Sequence, residues 1–183
     1  QLVFVSLSPS PRSLDEQLGG QRSYLEDLFS DRWAPLLTVE QEVDANWKVL
    51  AENVLEGYHL EEVHKNTFKK FAPAESCHHA LFDRVTTYTE DALKENSRVQ
   101  QQADFLARLM NVKANPEYHH VFCYPNFAAS RMTLFNWAQT ILPVAPGKSI
   151  SYWQIFYLRG HSKTPWANFA ATLVGRHGRK FFK

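Results

Sequence analysis

One stretch of the chain has the periodicity of a helix. Between residues 47 and 58 the apolar side chains recur every three or four positions, which is the spacing of one buried helix face. Asp44 precedes this stretch and is its predicted N-cap. Charged residues such as Lys48 and Glu52 fall largely off the apolar stripe. The apolar positions are Trp47, Leu50, Ala51, Val54, Leu55 and Tyr58.

Most of the remaining chain is typical of strands, because its apolar and polar residues alternate and β-branched and aromatic residues are common. The predicted strands cover residues 2–7, 36–43, 84–90, 118–124, 132–142 and 150–158. Pro143 is expected to end the fifth strand, and Pro146-Gly147 to form the turn of a hairpin.

Shorter helical segments complete the outline. Ser13 and Glu16 form a capping-box pattern that starts a helix ending at Gly19-Gly20. Further helical segments are predicted over residues 24–29, 103–110 and 166–174, and Gly175 and Gly178 disfavour continuation of the last. The pattern therefore predicts an α+β fold in which helices pack on an antiparallel sheet.

Composition narrows the class of protein. The 183 residues carry 20 Lys and Arg against 19 Asp and Glu, so the net charge of +1 disfavours a nucleic-acid binder. No apolar run approaches the roughly 20 residues that span a membrane. Cys77 and Cys123 are too few for a disulfide framework, a four-thiolate zinc site or a cysteine-held iron–sulfur cluster. A reduced, cytoplasmic protein is the expectation.

Both ends of the chain are typical of a piece of a longer protein. Residue 1 is Gln rather than Met and leads directly into the predicted first strand. Residues 178–183 end without a turn signal. We therefore expect the natural protein to extend beyond this sequence.

Most of the eight histidines carry no metal-binding pattern. Neighbours in a strand point to opposite faces, so His119 and His120 are not expected to share a metal. They and the pair His78-His79 are interpreted as structural or surface residues. His161 and His177 stand without a partner.

The spacing of His59 and His64 does not by itself favour a shared metal. Five residues of regular helix leave their side chains about 140° apart around the axis, so the helix must end or distort between residues 57 and 62 if both bind one ion. A zinc hydrolase would place two histidines four residues apart with a glutamate beside the first. Glu61 and Glu62 lie off that register.

The sequence around these histidines nevertheless resembles a known family. Asn46-Trp47-Lys48, Glu52-Asn53 and Glu56-Gly57-Tyr58-His59, followed by His64, resemble the catalytic domain of Rieske non-haem iron oxygenases, the α subunits of aromatic-ring-hydroxylating dioxygenases. Three weaker matches occur in the family's order, at Val3-Phe4-Val5, Tyr124-Pro125-Asn126 and Leu142-Pro143-Val144. The resemblance implies a helix-grip fold, as in START and Bet v1 proteins.

The resemblance also implies roles for individual residues. His59 and His64 would be the two imidazole ligands of a mononuclear Fe(II), which such sites bind with two histidines and one carboxylate. Glu56 would be the acid that links His59 to a Rieske-cluster histidine of the neighbouring subunit, and Asn53 would lie near the iron. Residues 1–12 would be the tail of a missing Rieske domain and a linker, and residues 13–183 the catalytic domain.

Two features depart from the family pattern. The paired Cys-x-His and Cys-x-x-His of a Rieske cluster are absent, so this chain cannot hold the [2Fe–2S] cluster of the full-length protein. The family's third iron ligand is an Asp on a late helix, but Asp83, Asp91 and Asp104 all precede the Pro125-Asn126 strand. We therefore expect this ligand beyond Lys183, on the helix that begins near Trp166.

The implied activity is hydroxylation of a small organic substrate by Fe(II) and O₂. Electrons would come from NAD(P)H through a reductase, with or without a ferredoxin, and the full-length protein would be a homotrimer. Aromatic acids and quaternary ammonium compounds both fit as substrates. The alternative is a helix-grip small-molecule-binding domain without redox activity. The aromatic residues of the predicted strands suit both interpretations, and the 46–64 run favours the oxygenase.

Overall fold

The described part of the chain is built on a seven-stranded antiparallel sheet. The computed structural model describes residues 2–56, 59, 77–90, 98–113, 117–159 and 164–181. Within these residues the strands lie in the order β1-β7-β6-β5-β4-β3-β2. They are β1 (Trp33–Val43), β2 (Cys77–Leu81), β3 (Val85–Glu90), β4 (Tyr118–Cys123), β5 (Phe127–Arg131), β6 (Phe135–Ala145) and β7 (Lys148–Leu158).

Helices pack on both faces of this sheet. They are α1 (Leu14–Gln17), α2 (Arg22–Leu28), α3 (Trp47–Leu55), α4 (Arg98–Leu109) and α5 (Pro165–Phe181). None of these helices is long and apolar enough to span a lipid bilayer.

The two faces have separate apolar cores. On the face that we call the α2 face, Leu25 and Leu28 pack with Val85, Val121 and Ala138. On the opposite α3 face, Ala51 packs with Phe122, Ala128 and Ile141. Helix α5 also lies on the α3 face, because Gly178 contacts Phe135, which alternates in phase with Ile141 along β6.

Most of the predicted elements are confirmed. The Ser13 side chain accepts from the Glu16 backbone N–H, and Glu16 accepts from the Ser13 N–H, as a capping box requires. The helical face of α3 and the strands β1, β3, β4, β6 and β7 are also present, with boundaries shifted by zero to three residues. Strands β2 and β5 were not predicted.

Three predictions about strands and caps are wrong for identifiable reasons. Residues 2–7 form no strand, since alternation alone does not supply a pairing partner. Strand β6 continues through Pro143 to Ala145, because β5 pairs only as far as Thr140 and β6 is an edge beyond it. Asn46, not Asp44, caps α3, and Asp44 is an exposed ion-pair partner of Lys148 at 3.7 Å.

Helix α5 also ends later than predicted, because its packing on the sheet outweighs the weak helix propensity of its glycines. Helix α5 continues through Gly175 and Gly178 to Phe181. A Cβ added to Gly178 would lie 2.6 Å from Cε1 of Phe135 and 2.8 Å from Cδ2 of Leu36. Glycine at this position therefore allows the helix to approach the sheet closely, and that contact offsets its weak helix propensity.

This contact predicts different effects for two glycine substitutions in one helix. Both Gly178→Ala and Gly175→Ala gain the same helix propensity, but a Cβ at Gly175 would meet Tyr157 at an ordinary 3.4 Å. We expect Gly178→Ala to be less stable than Gly175→Ala by about 1–3 kcal/mol, the usual range for overpacking. Urea unfolding of both variants measures the difference, and equal midpoints would contradict the close packing.

Candidate functional site

The N-cap residue of helix α3 bonds the turn between β6 and β7. The Asn46 side-chain Oδ1 accepts from the Lys48 backbone N–H at 3.0 Å, which satisfies one helix N-terminal donor. Its Nδ2 donates to the Pro146 carbonyl at 2.7 Å. The Ser149 hydroxyl also donates to the Ala45 carbonyl at 2.8 Å. The Asn46 of the motif therefore fixes where α3 begins.

From this anchor α3 extends across the α3 face toward the middle of the sheet. The ring of Trp47 lies 6.4 Å from that of Tyr124, near the anchored end. Val54 and Leu55, at the other end, belong to the apolar cluster that contains Trp137. Nine helical residues rise about 14 Å, which is about four residues of a strand. The end of α3 therefore lies well inside the sheet rather than at its edge.

The helix ends at Leu55, and the side chain of the next residue, Glu56, holds His59 in place. Glu56 has extended backbone angles, φ −120° and ψ 155°. Its Oε1 accepts from Nδ1 of His59 at 2.5 Å, and its Oε2 accepts from the His59 backbone N–H at 3.2 Å. One carboxylate thus holds both the ring and the backbone of His59. The helix ends just before the 57–62 interval in which the His59–His64 spacing required a break.

The contact with Glu56 selects the tautomer of His59. If Nδ1 donates its proton to the carboxylate, Nε2 is the ring nitrogen that carries the lone pair. Histidines that bind metals typically have their second nitrogen held by a carboxylate or carbonyl in this way, which orients the ring and raises its basicity. The side chains of His59 and Glu56 are 21% and 31% exposed, so the pair is mostly buried but remains accessible to solvent. Its donor chemistry fits an imidazole ligand of Fe(II).

The other predicted site residues do not join this pair within the described part of the chain. His64 and Tyr58 lie outside the described residues, as does Asp91. Asn53 is exposed on α3, three residues before Glu56. Asp83 forms an exposed ion pair with Arg12. Within the described ranges no three His, Cys, Asp or Glu side chains come close enough to hold a metal together.

The adjacent histidines of β4 point to opposite faces, as predicted. On the α2 face, the ring of His119 stacks on Tyr24 at 4.0 Å, and the Tyr24 hydroxyl donates to the His119 carbonyl at 2.6 Å. Burial, together with the nearby Arg131, lowers the pKa of His119 to about 4. On the α3 face, His120 is 1% exposed and its Nδ1 lies 2.6 Å from the Ser130 hydroxyl. Burial lowers the pKa of His120 to about 3.

Sequence reasoning did not assign the aromatic row that crosses the α3 face. Cross-strand pairing places Tyr88, His120, Ser130 and Trp137 side by side. The ring of His120 lies 5.4 Å from Trp137 and 6.4 Å from Tyr88, and Trp137 lies 5.0 Å from Trp153. The signal was present in the alternation of each strand, but the strand order was needed to bring these residues into one row.

A family model describes most of this chain. Residues 30–176 match the model of the ring-hydroxylating α subunit, catalytic domain. The chain belongs to this family. Membership favours the oxygenase interpretation over a helix-grip binding domain without redox activity. No curated protein sequence matches the chain.

Solved structures share the fold at low sequence identity. A quaternary ammonium Rieske monooxygenase, described in the context of carnitine oxidation by gut microbiota, has a TM-score of 0.63 and 16% identity, over 97% of this chain and 49% of that one. Naphthalene 1,2-dioxygenase from Rhodococcus sp. has a TM-score of 0.58 and 17% identity, over 97% and 49%. The chain therefore has the helix-grip fold of these oxygenases and spans about half of their length.

The anchor of α3 predicts unequal effects of two substitutions before the helix. Asn46→Ala removes the N-cap and the bond to Pro146, so we expect it to cost about 1–2 kcal/mol of stability. Asp44→Ala removes only an exposed ion pair and is expected to cost less than about 0.5 kcal/mol. Denaturant unfolding compares them. If Asp44→Ala were the more damaging change, the assignment of Asn46 as the cap would be wrong.

Proposed function

We propose that the full-length protein is a Rieske-type oxygenase and that this chain supplies its mononuclear Fe(II) centre. His59 and His64 would be the two imidazole ligands. The third, an Asp, would lie beyond Lys183. The observation that carries the proposal is the Glu56–His59 pair at the end of α3, in a chain that belongs to the ring-hydroxylating family. When bound, Fe(II) would supply activation of O₂ for hydroxylation of a small organic substrate.

The residues of this chain would orient and shelter that chemistry. Glu56 would keep the proton on Nδ1 of His59, so that Nε2 would be available as a neutral nitrogen donor. The anchored α3 fixes the position of this nitrogen relative to the sheet. The half-buried aromatic side chains of the α3 face, such as Trp137 and Trp153, would pack against an organic substrate and exclude water from it. Asn53, three residues before Glu56, is proposed to lie near the iron in the assembled enzyme.

Electrons would reach this centre from outside the chain. We propose that they pass from NAD(P)H through a reductase, or a ferredoxin, to a [2Fe–2S] Rieske cluster in the full-length protein. In a homotrimer, that cluster would belong to the neighbouring subunit, and Glu56 would connect its histidine to His59. The 31% exposure of the Glu56 side chain leaves the carboxylate within reach of a second subunit. We also propose a cytoplasmic location for the full-length protein, because a chain with two cysteines lacks the dense disulfide framework of small secreted domains.

Removal of either proposed imidazole ligand should remove the mononuclear iron and leave the Rieske cluster in place. In the full-length protein, we expect His59→Ala and His64→Ala to reduce iron by one ion per subunit while the absorption spectrum of the Rieske cluster persists. His177→Ala, an exposed histidine of α5, is the matched control and should retain all iron. Metal analysis and visible spectroscopy measure this. Full iron content in His59→Ala would refute its role as a ligand.

Removing the charge of Glu56 should interrupt electron transfer without emptying either centre. In Glu56→Gln we expect oxidation of the pre-reduced Rieske cluster on mixing with O₂ and substrate to slow by at least about 10- to 100-fold. Glu52→Gln, on the exposed side of the same helix, should behave as wild type. Stopped-flow absorbance follows the cluster. An unchanged rate in Glu56→Gln would rule out the bridging role.

A further inference from the structure

An orphaned polar atom lies at the centre of the aromatic row on the α3 face. Within the described part of the chain, Nε2 of His120 is buried and has no hydrogen-bond partner. Buried polar groups are nearly always paired, because an unmade hydrogen bond leaves the cost of desolvation uncompensated. Such an exception is explained if a bound ligand supplies the missing hydrogen-bond partner.

The opposite side of the same imidazole is firmly held. Nδ1 of His120 lies 2.6 Å from Oγ of Ser130, which in turn lies 2.9 Å from the Tyr118 hydroxyl. The ring also stacks at an interplanar angle of 12° against Tyr118. His120 is therefore rigidly oriented. Its Nδ1 is hydrogen-bonded within the fold, and its Nε2 has no partner among the described residues. This is the arrangement of a residue positioned to make one directed contact.

The surroundings of His120 restrict the kind of ligand. On β4 to β7, the described residues that share its face carry no formal charge; they are Tyr118, Phe122, Ala128, Ser130, Phe135, Trp137, Gln139, Ile141, Ser149, Ser151, Trp153, Ile155 and Tyr157. His120 itself remains neutral, because its burial holds its pKa near 3. The described side chains on this face of these strands offer no cation to a carboxylate, so its burial directly beside His120 would be costly.

The same surroundings disfavour a quaternary ammonium group. Aromatic rings such as Trp137 and Trp153 attract such cations, but the cation has neither a donor nor a lone pair and would leave Nε2 of His120 unpaired. A planar aromatic ring that carries a neutral hydroxyl suits both the aromatic side chains and the unpaired Nε2 of His120. Its face packs against the aromatic side chains, and its hydroxyl can donate to or accept from Nε2 in either tautomer.

We infer that His120 is a specificity-determining residue whose Nε2 hydrogen-bonds a neutral polar substituent, a hydroxyl above all, of an aromatic substrate lying on the α3 face. The inference rests on the proposed function only in treating this ligand as the substrate. A second orphaned atom supports a ligand-facing role for the same surface: Gln139 donates through Nε2 to Ser151 at 2.8 Å, while its Oε1 is buried and without a partner.

The test compares probes that share one ring and differ in one substituent. Naphthalene, 2-naphthol, 2-naphthoate and (2-naphthyl)trimethylammonium are titrated calorimetrically into the full-length protein at neutral pH, without O₂ or reductant. On the wild-type protein we expect 2-naphthol to bind more tightly than the carboxylate and the cation. Tighter binding of either charged probe, or no binding by any probe, would overturn the inference.

The His120→Asn variant tests the contact itself. The asparagine amide can replace Nδ1 toward Ser130 but does not reach the position of Nε2, so the fold is preserved while the ligand contact is lost. We expect the ratio of 2-naphthol to naphthalene affinity to fall about tenfold. His120→Gln, whose amide reaches further, should recover part of it. His119→Asn, on the opposite face, should leave the ratio unchanged.

An unchanged ratio in a folded His120→Asn protein would overturn the inference. If that variant does not fold, the probe ranking on the wild type and the ratio in His120→Gln still decide it. Because the readout is binding without turnover, this result is separate from the metal content of His59→Ala. Either hypothesis can therefore fail while the other stands.

Discussion

The packing of α3 against β6 is the constraint on which the candidate site depends. Asn46 fixes the start of the helix at the turn that joins β6 to β7, and the apolar stripe fixes which side of the helix meets the sheet. Once these two are set, the position of Glu56 is set as well, because a helix is rigid over nine residues. Glu56 then determines the orientation of His59 through two hydrogen bonds. The orientation of His59 thus depends on a helix cap, an apolar stripe and a carboxylate, each of which has a simple physical role.

Local patterns predicted the elements well, because the forces that form them act within a few residues. The capping box of Ser13 and Glu16 and the stripe of α3 are of this kind. The failures involve contacts between distant parts of the chain. Gly178 in α5 could be explained only by its contact with Phe135 and Leu36. Asp44 was predicted as the cap of α3, whereas Asn46 caps it and also bonds the Pro146 carbonyl 100 residues away, a contact that no local pattern indicates.

The contrast between local patterns and distant contacts also applies to the candidate site. His59 and Glu56 were predicted because a run of adjacent residues resembled a family, and the structure brings these two side chains into contact. His120 gave no such signal, since a histidine pair in a strand is usually structural. Its neighbours on the sheet come from four different strands, β3 to β6, and only the strand order reveals that they form one surface. A row across a sheet has no period along the sequence, so the alternation within each strand could indicate the face of each residue but not its neighbours on the other strands.

His59 and His120 differ in the group that holds each imidazole. His59 is held by a carboxylate, whose negative charge increases the electron density of the ring and suits its second nitrogen to a cation. His120 is held by a hydroxyl in an uncharged, fully buried environment, which keeps the ring neutral and suits its second nitrogen to a neutral group. Exchanging the two partners would exchange the preferences. The residue behind each imidazole, rather than the imidazole itself, therefore distinguishes the two nitrogens, because one ring is held by a carboxylate and the other by a neutral hydroxyl.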